Sequence, residues 1–376
     1  MSSSGTRFVA GGMTGTSLDG LDVALAQIEG CGLSMSAEYR GMVNRPLGPL
    51  AHELHAFASE EQASALRYAR AGRQLGELYA EAMGELCHDF LPEGKKLDFV
   101  VAHGQTIAHA PAEGLSWQLF DPWPIVRRLG VPVCYDLRQS DLIAGGQGAP
   151  VTPLSDWILY GRGKRYRVVV NLGGICNVTC LPGDCDVNQV QAEDIGPCNL
   201  LIDAVVRSAF PELQYDEGGA LAAAGKSSGV IYDAIRKGSE FFDRPRPRTA
   251  GREEFGHEWV QRVLTETSLA GRNAIAAATE AAAVLVAEYV TELGDGIEVV
   301  LAGGGTKNRF LVEMIAAKLT GLAQVVMSDD AGIPAAAREA MGFAVLGALT
   351  RDGLPITLPQ VTGAQQPGLA GAWAYP

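Results

Sequence analysis

The sequence predicts a two-domain α/β protein with a duplicated strand–glycine turn–strand architecture, and three observations carry that expectation. At 376 residues the chain is too long for one ordinary core and suits two domains of roughly 150–200 residues each. Two apolar strand pairs, one near the N-terminus and one over residues 167–181 (RVVVNLGGICNVTCL), are each joined by a glycine-rich turn. Other apolar runs end in small polar clusters, which is where open α/β sheets place ligands. A composition of 47% hydrophobic and 19% charged residues is globular rather than disordered or coiled-coil.

Taken in order, residues 7–12 begin as a strand and residues 21–28 (LDVALAQI) are largely apolar with polar interruptions. The turn between them makes this a hairpin, not the strand–turn–helix of a dinucleotide site. Residues 63–90 space their apolar side chains three and four apart and predict a long helix. Residues 97–102 (LDFVVA) read as a buried strand followed by His103-Gly104-Gln105-Thr106, and residues 131–135 as another followed by Asp136-Leu137-Arg138. A strand over 297–302 runs into Gly303-Gly304-Gly305-Thr306-Lys307-Asn308. Asn308 is placed to cap a helix over 309–319. A last helix spans 335–349, and the Gly- and Pro-rich tail from 352 predicts an irregular segment.

A formal charge of −13 argues against a nucleic-acid partner, because phosphate backbones need a basic face. It argues in the same direction against anionic membranes and leaves a small molecule as the expected partner. The N-terminus (MSSSGTRFVAGG) has no apolar segment of signal-peptide length. The most apolar helical stretch, residues 274–290, is interrupted by Glu280 and Glu288 and falls short of the roughly 18 apolar residues of a membrane span. Seven cysteines without a CxxC pair read as reduced thiols of a cytoplasmic protein. The six histidines show no metal spacing, and neither a GxSxG elbow nor an HExxH pair occurs.

Phosphate binding needs backbone N–H groups able to close on an anion, which glycine permits. Three glycine turns end apolar strands: residues 11–20, Gly173-Gly174 and Gly303 to Gly305. The first also carries Thr16, Ser17 and Asp19, hydroxyls for phosphate oxygens and a carboxylate for the Mg²⁺ that accompanies ATP. Ala224-Gly225-Lys226-Ser227 resembles the end of a Walker A loop, but the required partner glycine is Ala220, so it reads as an ordinary loop. Asp194 precedes Pro197, Asn199 and an apolar run, and reads either as a helix-capping aspartate or as a functional carboxylate. Glu339, beside Arg338, reads as a solvated helix charge or a site residue, Arg138 as a salt-bridge or site residue, and His103 as structural or catalytic.

The sequence also resembles a known family. The segments at residues 11–25 (GGMTGTSLDGLDVAL), 101–111 (VAHGQTIAHAP), 136–150 (DLRQSDLIAGGQGAP), 171–178 (NLGGICNV), 194–204 (DIGPCNLLIDA), 249–255 (TAGREEF), 301–308 (LAGGGTKN), 332–347 (GIPAAAREAMGFAVLG) and 361–376 (VTGA…LAGAWAYP) are similar, in the same order, to those of the anhydro-N-acetylmuramic acid kinases. The resemblance spans nearly the whole chain. It implies an actin-like (ribonuclease H-like) two-domain fold with an interdomain cleft, usually as a homodimer. The expected domains are residues 1–135 plus 340–376 and residues 136–339.

The resemblance further implies an ATP- and Mg²⁺-dependent kinase that opens the 1,6-anhydro bridge of its sugar and phosphorylates O6. Asp194 is the implied base, taking a proton from the attacking water, and Glu339 and Arg138 are implied as catalytic residues with it. Gly15, Thr16, Ser17, Leu18, Asp19, Gly20, Leu21 and Asp22 are implied at the phosphates and metal, with Asp19 the metal ligand. Gly173, Gly174 and Asn177 are implied on the second phosphate hairpin, and Gly303, Gly304, Gly305 and Asn308 on the nucleoside side. Gln105, Thr106, Arg138, Asp194 and Glu339 are implied at the sugar. Four positions depart from the family pattern. Cys198 stands where glycine is usual, Gln139 and Ser140 where bacterial members carry arginines, and Phe120 where glycine is usual. The missing arginines weigh on recognition of the lactyl carboxylate, and the related levoglucosan kinases lack them too. The other readings are an ordinary sugar or acetate kinase, and a non-enzymatic nucleotide switch.

Overall fold

Strand β1 (Arg7–Thr14) is buried along its whole length, so both of its faces must be covered. Side chains alternate across a strand, and Gly11 and Gly12 let two helices approach closely, one on each face. A Cβ on Gly11 would lie 2.0 Å from the Ala340 carbonyl oxygen, and one on Gly12 would lie 2.8 Å from the Tyr79 ring. These belong to the helices Arg338–Arg351 and Ala65–Phe90.

The computed structural model describes residues 5–15, 18, 20–59, 62–250 and 252–376. It divides into two compact units. In unit 1, β1, β2 (Gly20–Glu29) and β3 (Ser36–Pro46) form an antiparallel meander. Strands β4 (Phe99–Ala102) and β7 (Val133–Tyr135) extend the sheet in parallel from β1. Strands β5 (Gln105–Ala110) and β6 (Leu115–Leu119) form a separate hairpin. The tail is not wholly irregular: Pro359–Thr362 is helical, and Ala372–Ala374 pairs with β7 as an edge strand.

Unit 2 repeats the order. β8 (Arg167–Leu172), β9 (Ile175–Leu181) and β10 (Gln191–Pro197) form the meander, and β11 (Ile297–Ala302) and β12 (Ala323–Met327) follow in parallel from β8. Both sheets therefore share the strand order of the ribonuclease H-like, actin-like fold. The helix Gly271–Leu293 is long and apolar enough to cross a membrane, but it is largely buried in this unit's core against β-sheet and helix side chains.

Unit 1 comprises the described residues up to Arg162, with Asp186–Val190 and Ala336–Pro376; unit 2 comprises Gly163–Cys185 and Gln191–Ala335. The boundaries thus differ from 135/136 and 339/340, the positions expected from sequence. A buried ion pair contributes to this: Arg338 donates from Nε to Asp156 Oδ1 at 3.0 Å and from Nη2 to Oδ2. It ties the helix Pro153–Tyr160 to Arg338–Arg351. Arg138 and Glu339 consequently both belong to unit 1. The Ala224–Ser227 segment follows a one-turn helix, Ala220–Ala223, with no strand leading into it.

Candidate active site

Unit 2 carries Asp194 on its third strand. β10 pairs with β9 through Asp194↔Asn177, then a bulge precedes Gly196↔Cys176. A bulge re-aims the side chains around it. Residues 248–250 run alongside: the Asp194 N–H donates to the Arg248 carbonyl at 2.9 Å, and the Ala250 N–H donates to Asp194 Oδ2 at 2.8 Å. Burial, reinforced by the charges of Glu193 and Glu254, raises the Asp194 carboxyl to about 7 against the opposing pull of the Ala250 N–H. A carboxyl with one oxygen pinned and its titration near neutrality can accept a proton from a weak acid in reach of Oδ1.

Asp194 is not a helix cap. The helix Asn199–Ala209 has Cys198 at its N-cap. The N–H groups of Cys198 and Leu200 donate to the Gly174 carbonyl at 2.9 and 3.1 Å, and that of Asn199 to Gly173 at 3.1 Å. The Gly173-Gly174 turn is therefore closed onto this helix, with Asn177 beside it on β9.

The Gly303–Gly305 loop lies over the end of β8. Gly303 has φ +85°, and a Cβ there would sit 2.4 Å from Asn171 Oδ1; one on Gly305 would sit 2.7 Å from the Leu172 Cβ. A Cβ on Gly304 would meet nothing within 4 Å. The flanking glycines let the loop settle and the middle one presents bare backbone to open space. Asn308 is the N-cap expected: its Oδ1 accepts the Leu311 N–H at 3.0 Å. That oxygen is committed to the helix, which makes Asn308 a support of the loop.

In unit 1, Thr16, Ser17 and Asp19 lie outside the described residues. Around them, the Leu18 N–H donates to the Gly15 carbonyl at 3.2 Å, and Gly20 and Leu21 open β2. Asp22 faces Met13 across the hairpin, and its Oδ1 accepts from Asn44 Nδ2 at 2.7 Å.

Past β4 a second group gathers. Arg138 donates from Nε to His103 Nε2 at 3.0 Å and from Nη1 to the Gly148 carbonyl at 2.7 Å. Glu339 is half-buried; burial raises its carboxyl, while the charges of Arg338 and Arg138 oppose the shift. It is not the solvated helix charge that was one reading of the sequence. Gln105 is 1% exposed; its Nε2 donates to the Thr106 carbonyl at 3.2 Å, and its Oε1 is buried with no partner among the described residues. Such an orphaned acceptor is unusual in a folded protein and fits a ligand hydroxyl. Thr106 Oγ1 accepts from Gln118 Nε2 at 3.2 Å.

The model of the family "Anhydro-N-acetylmuramic acid kinase" matches residues 7–376. This chain belongs to the anhydro-N-acetylmuramic acid kinase family. It is 34% identical to an anhydro-N-acetylmuramic acid kinase of Bacillus cereus, over 98% of this chain and 99% of the relative. The kinases of that name from Salinibacter ruber and Caldanaerobacter subterraneus are each 33% identical, covering 98% and 97% of this chain and 96% of each relative. Membership makes the chain a phosphotransferase of the sugar-kinase class.

Each departure from the family pattern has a local account. Cys198 has φ −129°, so a side chain is accepted there without left-handed strain. Gln139 spans to the β5–β6 turn, donating to the Gly114 carbonyl at 2.8 Å. Ser140 lies against Gly368, where an added Cβ would come 2.5 Å from its Oγ. Phe120 packs edge-on against Tyr79, ring centroids 5.1 Å apart. The groups that sequence reading missed are backbone ones, the Ala250 N–H and the Gly148 carbonyl. Their one signal is that each sits in a family-like segment, 249–255 and 136–150.

Proposed function

We propose that this protein is an ATP-dependent kinase that opens the 1,6-anhydro ring of anhydro-N-acetylmuramic acid and phosphorylates O6, giving N-acetylmuramic acid 6-phosphate and ADP. The observation that carries the proposal is Asp194, in a chain of this family: Oδ2 is held by the Ala250 N–H and the carboxyl is raised to about 7. As water attacks the anomeric carbon, Asp194 takes its proton. The bond from that carbon to O6 breaks, and O6 attacks the γ-phosphorus of ATP, expelling ADP. The protein's share of such a transfer is mainly positioning and charge neutralisation.

Gly303–Gly305 supplies bare backbone for the nucleotide, with Gly304 facing open space. Among the described residues no group of three acidic, His or Cys side chains forms a ready metal site. Magnesium bound with ATP would neutralise phosphate charge, and Asp19, with Asp22 close by in the sequence, would supply the protein carboxylates. Gln105, Thr106, Arg138 and Glu339 receive the sugar. The protein acts in the cytoplasm as a homodimer, with no nucleic acid or membrane partner.

A second reading rests on Gln139 and Ser140, which stand where bacterial members of the family carry arginines that could meet a lactyl carboxylate; it makes an uncharged anhydrosugar such as levoglucosan the substrate. ADP release measured over anhydro-N-acetylmuramic acid, levoglucosan and an ordinary hexose separates these. Preference for the first supports the proposal, preference for levoglucosan supports the second reading, and acceleration by the hexose alone or by no sugar overturns both.

A further inference from the structure

The proposed function leaves His103 without a task, although it is 6% exposed and directly follows the core strand Phe99–Ala102. Its two ring nitrogens have partners of opposite kind. Nδ1 lies 2.9 Å from the Gly104 carbonyl oxygen, and Nε2 lies 3.0 Å from Arg138 Nε. A carbonyl can only accept and a guanidinium can only donate, so the imidazole is neutral with its proton on Nδ1. Burial first, and then the Arg138 charge, holds the ring in that state by lowering its titration to about 3. The ring also rests on Phe343, centroids 4.8 Å apart, which fixes its plane.

The other side of Arg138 is held as firmly. Arg138 Nη1 donates to the Gly148 carbonyl, and the Gly148 N–H donates to Asp141 Oδ2 at 2.8 Å. Asp141 is 1% exposed, and its Oδ1 accepts from the Thr362 hydroxyl at 2.7 Å. Thr362 also holds the same loop through its carbonyl, which accepts the Gln147 N–H at 2.8 Å. Two of the three guanidinium nitrogens are thus spoken for from opposite sides, and Nη2 is the one left to meet a ligand. Arg138 has lost rotamer freedom before any ligand arrives, which lowers the ordering cost of binding.

We propose that His103, as a neutral hydrogen-bond acceptor, and the Asp141–Thr362 pair, acting through Gly148, are positioning residues that aim Arg138 Nη2 at an anionic group of the sugar. The inference rests on the reading of Arg138 as a sugar-binding residue. It predicts that the histidine matters for the charged substrate only and acts only through the arginine.

The test uses the full chain with anhydro-N-acetylmuramic acid and levoglucosan, and the variants His103→Phe, His103→Gln, Thr362→Val and Arg138→Ala. His103→Phe should raise KM for the charged sugar by about tenfold to a hundredfold, the weight of a hydrogen bond to a charged group. It should leave KM for ATP and turnover of levoglucosan near wild type. Glutamine, which can still offer an acceptor, should restore most of the loss. Thr362→Val removes one hydroxyl and should repeat the effect more weakly. Added to Arg138→Ala, His103→Phe should cost little more, the non-additivity of residues acting in series. Additive losses, or equal losses for the two sugars, would overturn the proposal.

The ¹⁵N–¹H signal of Arg138 Nε, assigned by its absence in Arg138→Lys, gives a second readout. It should shift in His103→Phe and return towards its position in His103→Gln. If Arg138→Ala leaves both sugars unaffected, the sugar-binding reading of Arg138 fails, and the Nε signal still judges the positioning. An Nε signal unmoved by His103→Phe overturns the positioning itself.

Discussion

The two sheets share one strand order but load it differently. In each, the second cross-strand pair below the hairpin turn joins a meander of three strands. In unit 1 that row reads Met13, Asp22, Asn44; in unit 2 it reads Asn171, Asn177, Asp194. The acid stands on the second strand in one unit and on the third in the other, and the amide takes the complementary place. Asp22 accepts a hydrogen bond from Asn44 Nδ2 at 2.7 Å. Asp194 is half-buried on a bulged strand, and burial raises it to about 7. The duplicated scaffold therefore gives a carboxylate a place on the same row of each sheet, and the local surroundings differ: the proposed function uses the first as a charge anchor and the second as a base.

The largest expected effect tests that division. Asp194→Asn should cut kcat by about 10²–10⁴-fold, the usual weight of a general base, and leave nucleotide binding nearly intact by calorimetry. Asp22→Asn, the same chemical change at the equivalent row, should spare kcat at saturation and raise KM for Mg-ATP. Equal losses of kcat would erase the distinction drawn here.

Next in size is the pH dependence. A base raised to about 7 is ionised mainly above that pH, so kcat should rise through about pH 7 and level off. Below it, each unit should cost about tenfold. Stability carries the opposite sign. The folded carboxyl sits above its ordinary 3.8, so the protonated form is favoured by folding and this contribution is lost as pH rises through about 7. Melting temperatures across pH 4–8 for wild type and Asp194→Asn should differ in slope; parallel curves would show that Asp194 is not raised.

The Gly303–Gly305 loop offers a smaller contrast inside three residues. Gly303→Ala forces a side chain to φ +85° and against Asn171, and should cost about 1–3 kcal/mol of stability. Gly304→Ala meets no atom within 4 Å and should change stability by no more than about 0.5 kcal/mol, yet raise KM for ATP. Denaturant titration and kinetics on the two variants separate the roles. The smallest effect belongs to Cys198→Gly. The position lies in no ordinary helical or extended region (φ −129°, ψ −105°), so glycine should be accommodated there with a stability change of no more than about 0.5 kcal/mol and with activity unchanged. A marked gain in activity would mean that the cysteine distorts the turn after all.

What was legible in the sequence is whatever depends on neighbours along the chain. The apolar runs of β1, β4, β8 and β11, the two glycine turns, the N-cap at Asn308 and the helix Ala65–Phe90 follow from periodicity and local backbone preference. The choice of Asp194 as the base came from the family resemblance, since its place before Pro197 and Asn199 reads equally as a helix cap. The domain boundary was not legible, because it depends on contacts such as the Arg338–Asp156 pair, which joins side chains far apart in the chain. The same holds for the edge strand Ala372–Ala374, whose only reason is an unpaired side of β7. Whether Asp194 caps the helix Asn199–Ala209 also had to wait for the fold, which gives that place to Cys198. An aspartate's chemistry is decided by what desolvates it and what donates to it, and the Ala250 N–H arrives from residues that share no local pattern with β10. Local order is written in short stretches of sequence, whereas burial and long-range hydrogen bonds exist only once the chain has closed on itself.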